Sequence, residues 1–371
     1  MKKMTSLFAA LAAALCVPAL GFAAADLSAV ACAPGTEISV EALPPLVAGN
    51  TRPPQGVAGA GIVVDARAVR VFGGCNFPEK GPADGGKKVY YDAIWSLDLE
   101  NPVAWERAPE KLPCPAAYGA DGVGGENADG KLSAIFPDGN GSFPVKIDNA
   151  AGTLRSFVAG GNVDGVPANR AFLRAADGAW EALPDFPGTP RVQPVAGTLE
   201  TPRGEAFALV GGFHFDAEKK RATLDRAGFV YFPREKTWEA LPPLPETLSG
   251  AGLVGCAAVN DGAGGMLIFG GVNAEIFREA LENPPPDYLR RAPAWYRFNA
   301  DVLRLSFGAD GKAKWEKLGN VPATARAGAS AAVVGARRGP AGTELDVVFV
   351  CGELKPGFRS PECVRIRIRT K

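Results

Sequence analysis

Leu209-Val210-Gly211-Gly212, followed after a spacer by Trp238-Glu239-Ala240-Leu241-Pro242, is the stretch that decides the fold. An apolar run ending in a glycine pair reads as a buried strand whose end needs positive φ or a close backbone approach, since glycine inside a strand otherwise costs stability. The Trp segment reads as an amphipathic outer strand. The same order recurs along the chain. Val71-Phe72-Gly73-Gly74 leads to Trp105, Phe157-Val158-Ala159-Gly160-Gly161 to Trp180, and Ile268-Phe269-Gly270-Gly271 to Trp315, and each of these Trp residues is followed by Glu. Trp180-Glu181-Ala182-Leu183-Pro184 repeats the string at 238–242. Val350-Cys351-Gly352 is a degenerate fifth glycine signal, and Lys131-Leu132-Ser133-Ala134-Ile135-Phe136, where Pro137-Asp138 replaces the pair, is read as a sixth.

Sheets repeated at this spacing predict an all-β, six-bladed kelch-type β-propeller. The fifth copy has no Trp strand after it. At the other end, Ile38-Ser39-Val40-Glu41-Ala42-Leu43-Pro44-Pro45 carries the ending of the Trp strands and precedes the first complete repeat. This N-terminal strand is therefore predicted to join the C-terminal blade and close the ring, leaving no sheet edge exposed. Residues 26–371 are read as one propeller domain.

Lys2 and Lys3, the apolar run Leu7–Leu20 and the small residues Ala23-Ala24-Ala25 have the layout of a cleaved secretory signal over residues 1–25, which gives a periplasmic expectation. Cys16 raises a lipoprotein alternative, but Leu15 stands where a small residue is normally wanted. No later segment approaches the length of a membrane span. Lys+Arg and Asp+Glu both total 40 in the 371 residues, so no net charge draws the chain to nucleic acid or an anionic membrane. Cys32, Cys75, Cys114, Cys256, Cys351 and Cys363 permit disulfides in an oxidising compartment without specifying a pairing. His214 is the one histidine in the sequence. It leaves little material for a metal site or a Ser-His-Asp triad, so neither metal nor cofactor is expected.

The stretch from Cys351 to Arg359 carries the chemistry. The apolar run Val347-Val348-Phe349-Val350 ends at an acid, Glu353, and Pro356-Gly357 has the residues of a type II turn. The turn brings the chain back to Arg359, so Glu353 and Arg359 are expected to face each other and to point into the hollow along the propeller axis. An exposed hairpin with a weak surface ion pair is the bland alternative. Between Glu275 and Tyr296 a polar insertion containing Pro284-Pro285-Pro286 is too long for a hairpin loop and reads as either a lid or a solvated excursion.

Several strings, in order, resemble the bacterial N-acetylneuraminate epimerases, or sialic acid mutarotases: Gly270-Gly271-Val272-Asn273-Ala274-Glu275-Ile276-Phe277, Tyr296-Arg297-Phe298-Asn299, Arg326-Ala327-Gly328-Ala329, and most specifically Gly352-Glu353-Leu354-Lys355-Pro356-Gly357-Phe358-Arg359. Gly73-Gly74-Cys75-Asn76-Phe77-Pro78, Gly86-Lys87-Lys88-Val89-Tyr90-Tyr91-Asp92 and Ala117-Tyr118-Gly119 resemble it too, but in better-known members these segments follow the Gly-Glu-x-Lys-Pro-Gly-x-Arg motif. Here they precede it, as in a cyclically permuted branch. The resemblance implies an isomerase that interconverts the α and β anomers of N-acetylneuraminate, a small sugar acid. It implies Glu353 and Arg359 as the catalytic pair, with Asn76, Lys87, Lys88, Asn273 and Arg326 as candidate substrate contacts. Tyr118 is read as a packing residue with a hydrogen-bonded hydroxyl. A non-catalytic propeller binding a glycan or protein, and the same mechanism on another sugar, remain open. A propeller-type copper oxidase would need histidine ligands that His214 alone cannot supply.

Overall fold

The glycine pairs are the joints between sheets. The computed structural model describes residues 26–371 except 65–66, 113–114, 119–121, 125–132, 136–146, 149–156, 164–165, 175–179 and 249. In each pair both glycines take left-handed φ, from 67° at Gly73 to 92° at Gly271. The second amide of each pair donates to a carbonyl in the loop leading into the next sheet: Gly74 to Ala116 at 2.7 Å, Gly161 to Arg191 at 2.8 Å, Gly212 to Leu253 at 2.9 Å and Gly271 to Arg326 at 2.8 Å. Gly352 does the same to Val57 at 3.0 Å and so returns to the first sheet. A side chain at the first position is excluded by contact as well as by φ. A Cβ on Gly270 would lie 2.4 Å from the Arg326 carbonyl oxygen.

Five blade sheets result. From the axis outward, the first is Ala58–Val64, Ala68–Asn76, Ala93–Asp98 and Glu106–Lys111; the second has Phe157–Ala159, Ala171–Arg174 and Trp180–Ala182. The third is Val195–Thr201, Gly204–Val210, Gly228–Phe232 and Thr237–Leu241; the fourth is Cys256–Asn260, Met266–Gly270, Asp301–Phe307 and Ala313–Asn320, with Ala31–Cys32 added at its edge. The fifth joins Ser330–Gly339, Gly342–Val350 and Cys363–Thr370 to the N-terminal strand Thr36–Leu43, in register from Thr36 opposite Thr370 to Leu43 opposite Cys363. Ring closure by the two chain ends is as expected.

Among the described residues there are five blade sheets, not six. Each glycine pair serves one junction, and the bond from Gly74 runs to Ala116, ahead of the strand Gly122–Gly124. The sixth copy had no glycine pair. Lys131, Leu132 and Phe136 lie outside the described residues, and the strand between them, Ser133–Ile135, pairs with Gly122–Gly124 in a two-stranded ladder. The kelch assignment falls with the blade count. The recurring pairs and Trp residues are inter-sheet joints that any closed ring of sheets can use, and they identify no kelch-type repeat.

The Trp strands supply the second set of joints. Trp105, Trp238 and Trp315 each donate the indole N–H to the carbonyl of a proline just beyond the outer strand of a neighbouring blade: Pro44 at 2.9 Å, Pro184 at 2.8 Å and Pro242 at 2.9 Å. The side chain of Trp180 lies outside the described residues. Pro44 follows the N-terminal strand, which explains why that strand ends like the Trp strands. The core lies between blades, as where Leu267, Phe269 and Val302 of the fourth meet Val347, Phe349, Ile366 and Ile368 of the fifth. Burying each such side chain contributes about 1.5–3 kcal/mol.

Candidate active site

At the mouth of the ring the loops before the inner strands hydrogen-bond in series. Gly328 N–H donates to Gly255 O at 2.7 Å, Gly59 N–H to Gly328 O at 2.8 Å, and Tyr118 N–H to Gly59 O at 2.9 Å. Above this rim stands the last hairpin, Glu353–Lys355 with Phe358–Arg359, in which Glu353 and Arg359 are direct register partners. Gly357 turns it at φ 83°, as a type II turn requires. Glu353 is tied to the rim by backbone bonds in both directions with Ala327, at 2.7 and 3.1 Å.

An Arg359 guanidinium nitrogen contacts the Glu353 carboxylate directly. The arginine side chain is 3% exposed and the glutamate 21%, so this is not the weak surface pair of the bland alternative. The Arg359 guanidinium also lies 5.4 Å from the Phe77 ring centre, and its amide is held by Gln55 Oε1 at 3.3 Å. Burial pushes the Glu353 pKa above its usual value of 4.5, against the pull of Arg359 and then Lys88. Burial alone would lower Arg359, but Glu353, Tyr118 and Cys75 together outweigh it and the net shift is upward.

Glu353 and Arg359 are not among the residues lining the cavity between the inner strands. That cavity, about 280 Å³, is lined by inner-strand residues such as Ala60, Val195, Ala258 and Ser330. Glu353 and Arg359 lie beyond the strand ends, at the rim, because Gly352 turns the chain out of the blade at φ 98°.

Of the five candidate contacts, one faces the pair. Lys88 is exposed, lies 5.7–6.0 Å from the ring centres of Tyr118, Phe77 and Tyr90, and acts electrostatically on Glu353. Lys87 beside it is exposed. The other three have partners within the protein. Asn76 is wholly buried, donates to Ala48 O and Gly56 O at 3.0 Å each, and accepts from the Tyr91 hydroxyl at 2.8 Å. Asn273 caps the helix Ala274–Glu282 by accepting from Ile276 N–H at 3.1 Å. Arg326, 1% exposed, directs its donors to Cys351 O at 3.1 Å, Glu362 O at 2.7 Å and the Glu362 carboxylate at 2.8 Å. Arg191 bonds Gly211 O from the equivalent loop position, so both arginines join blades.

Two further groups stand beside the pair. Tyr118, read as a packing residue with a hydrogen-bonded hydroxyl, packs against Gly59 and Gly328, lies within the field of Arg359 and carries Lys88 over its ring. The insertion after Asn273 reaches the site as well. Its short turns Tyr288–Arg290 and Pro293–Tyr296 hold Tyr288, Trp295, Tyr296 and Phe298 against one another. Burial, and then the Glu353 charge, push the Tyr296 hydroxyl up to about 12 and raise Tyr288 likewise. Arg290 crosses to Ala83 O at 3.0 Å and Asp84 at 2.8 Å, and Lys355 reaches Arg291 O at 2.9 Å. The aromatic density of the insertion was the available signal.

His214 sits on a separate hairpin, Phe213–Asp216 with Arg221–Leu224. Cys32, Cys75, Cys256, Cys351 and Cys363 are free thiols, and Cys114 lies outside the described residues. Among the described residues no helix is long and apolar enough to cross a membrane.

Comparison with known proteins gives the frame for this geometry. N-acetylneuraminate epimerases of Yersinia enterocolitica and Haemophilus influenzae are 31% identical over 199 residues (50% of this chain, 46% of the relative) and 29% identical over 203 residues (51% and 48%). The chain spans about half the length of the curated relatives it matches. The solved "Structure of YjhT" aligns over 85% of this chain and 62% of that one at 18% identity, with a TM-score of 0.39. The family model for N-acetylneuraminate epimerase (NANM) matches residues 144–371, more than half of the sequence and the part that contains the Glu353–Arg359 hairpin, and the chain belongs to that family.

Proposed function

We propose that the protein interconverts the α and β anomers of N-acetylneuraminate by acid–base-catalysed ring opening, with Glu353 as the base. The observation that carries this is the Glu353 carboxylate at the rim: partly exposed, backed by a buried guanidinium, and shifted upward by burial toward the range where a base works near neutrality. Glu353 takes the anomeric hydroxyl proton, the ring opens to the keto form, the anomeric carbon rotates, and closure on the other face returns the proton.

Arg359 keeps Glu353 ionised. Its side chain is 3% exposed, so it stands behind Glu353 and is not the cation presented to a sugar carboxylate. Lys88 takes that part, as the exposed cation on the aromatic face beside the pair. The order of segments supports a cyclically permuted member: the family model stops short of the first blade, and the fifth blade is completed from the N-terminal side. A closed ring can be cut at another junction with its blades left in place.

Proton NMR of N-acetylneuraminate freshly released by a sialidase, with and without the protein, tests the reading. Wild type should speed anomer equilibration, and Glu353→Gln should bind the sugar without doing so. If wild type leaves the spontaneous rate unchanged, the reading is lost and a binding function takes its place.

A further inference from the structure

Ring opening needs two proton transfers, and Glu353 accounts for one. When the anomeric hydroxyl loses its proton, the electron pair of the breaking C–O bond moves onto the ring oxygen, which must itself be protonated. The second group has to be a donor close to Glu353 and facing the pocket.

Tyr118 stands in that place. Its backbone takes φ 56°, and its ring lies across two rim glycines. A Cβ on Gly59 would fall 2.6 Å from the ring's Cγ, and one on Gly328 would fall 3.0 Å from Cε1 and 3.3 Å from the hydroxyl oxygen. The hydroxyl end therefore rests at Gly328, next in sequence to Ala327, which is bonded both ways to Glu353. The Arg359 charge acts on the same hydroxyl and favours the phenolate that proton loss would leave.

We propose that Tyr118 is the general acid, giving its hydroxyl proton to the ring oxygen while Glu353 removes the proton of the anomeric hydroxyl. This rests on the epimerase reading above. The O–H bond of the anomeric hydroxyl breaks and its proton goes to Glu353. That oxygen becomes the keto carbonyl, the bond from the anomeric carbon to the ring oxygen breaks, and the ring oxygen takes the proton of Tyr118. Negative charge passes from carboxylate to phenolate, and Arg359, in contact with Glu353, acts electrostatically on Tyr118 as well, so one cation serves before and after the transfer. Rotation and closure reverse every step and restore both side chains. Burial holds the Tyr118 hydroxyl well above the ordinary phenol range, which keeps the donor protonated at working pH.

The NMR assay is run on wild type, Tyr118→Phe and Glu353→Gln. Phenylalanine keeps the ring on Gly59 and Gly328, so Tyr118→Phe should lower kcat by about 10²-fold or more, typical of a lost general acid, with KM within about twofold. The double variant should be little slower than the slower single variant, since the two residues act in one step. If Tyr118→Phe does not fold, 3-fluorotyrosine at this position keeps the shape and makes the hydroxyl more acidic, and kcat should change at constant KM. Wild-type kcat in Tyr118→Phe, or an unchanged kcat with the fluorinated ring, overturns the assignment. An inert wild type overturns the epimerase reading instead, and the acid role with it.

Discussion

Arg359 faces Glu353 directly across the last hairpin, and of the two only the glutamate side chain keeps appreciable exposure, 21% against 3%. The acid is presented and the base-stabilising cation is hidden behind it.

The pH dependence follows from that placement. Glu353 must be ionised to act, and its pKa lies above 4.5, raised by burial and held back by Arg359 and Lys88. The rate should therefore fall on the acid side with a midpoint above that of an exposed glutamate. A kcat profile still flat at pH 4.5 would remove Glu353 as the base.

Removing the cation should expose the cost of the buried acid. Arg359→Met leaves Glu353 without its partner, so its pKa climbs further and the acid limb of the rate profile moves up. Stability should drop by about 3 kcal/mol above the new pKa, the low end for a broken buried pair, and less below it, where the protonated carboxyl no longer needs a counter-charge. Urea melts at two pH values measure this, and an equal loss at both would contradict it.

Lys88→Met should weaken binding of the anionic sugar about tenfold or more, the scale of one charge-assisted hydrogen bond, with kcat nearly intact. The wild-type KM should rise with salt and the variant's should not. Reduction of the sugar carboxylate to an alcohol should erase the difference between the two proteins.

Arg326 is predicted to matter for folding alone. Arg326→Met strands the Glu362 carboxylate and two carbonyls at the joint between the fourth and fifth blades, and about 3 kcal/mol or more of stability should go with it. KM measured on the folded fraction should match wild type, and a tenfold rise in KM would restore Arg326 as a substrate contact.

For Asn273 the conservative pair decides. Asn273→Ala should cost about 1 kcal/mol through the lost helix cap, while Asn273→Ser, which caps as well, should behave as wild type in both melting and catalysis. A catalytic defect in the serine variant would count against a purely capping role.

The joints of this fold were written in the sequence because they are local and repeat. A glycine pair needs left-handed φ wherever it occurs, and Trp-Glu-Ala-Leu-Pro places an indole N–H and a proline carbonyl at fixed distances along an outer strand. The number of blades was misread where one copy was admitted without the glycines that make a joint. In the site, Glu353 and Arg359 were legible because a two-strand hairpin fixes its own register. For Asn76 and Arg326 a motif shows that a polar residue is present but not whether its partners are backbone carbonyls or a ligand. Tyr118 escaped because what places it is the absence of side chains at Gly59 and Gly328, far away in the chain.

The pairing of Thr36–Leu43 with Cys363–Thr370 bears on how the protein is made. During synthesis the early strand must wait, without its partner, until Cys363–Thr370 has emerged, and the fifth blade cannot assemble before then. Its acids Glu37 and Glu41 meet the late basic residues Arg369 and Arg367 at 4.0 and 3.0 Å. Opposite charges on the two ends favour the correct register over slipped ones, so the final docking event of biogenesis carries its own address.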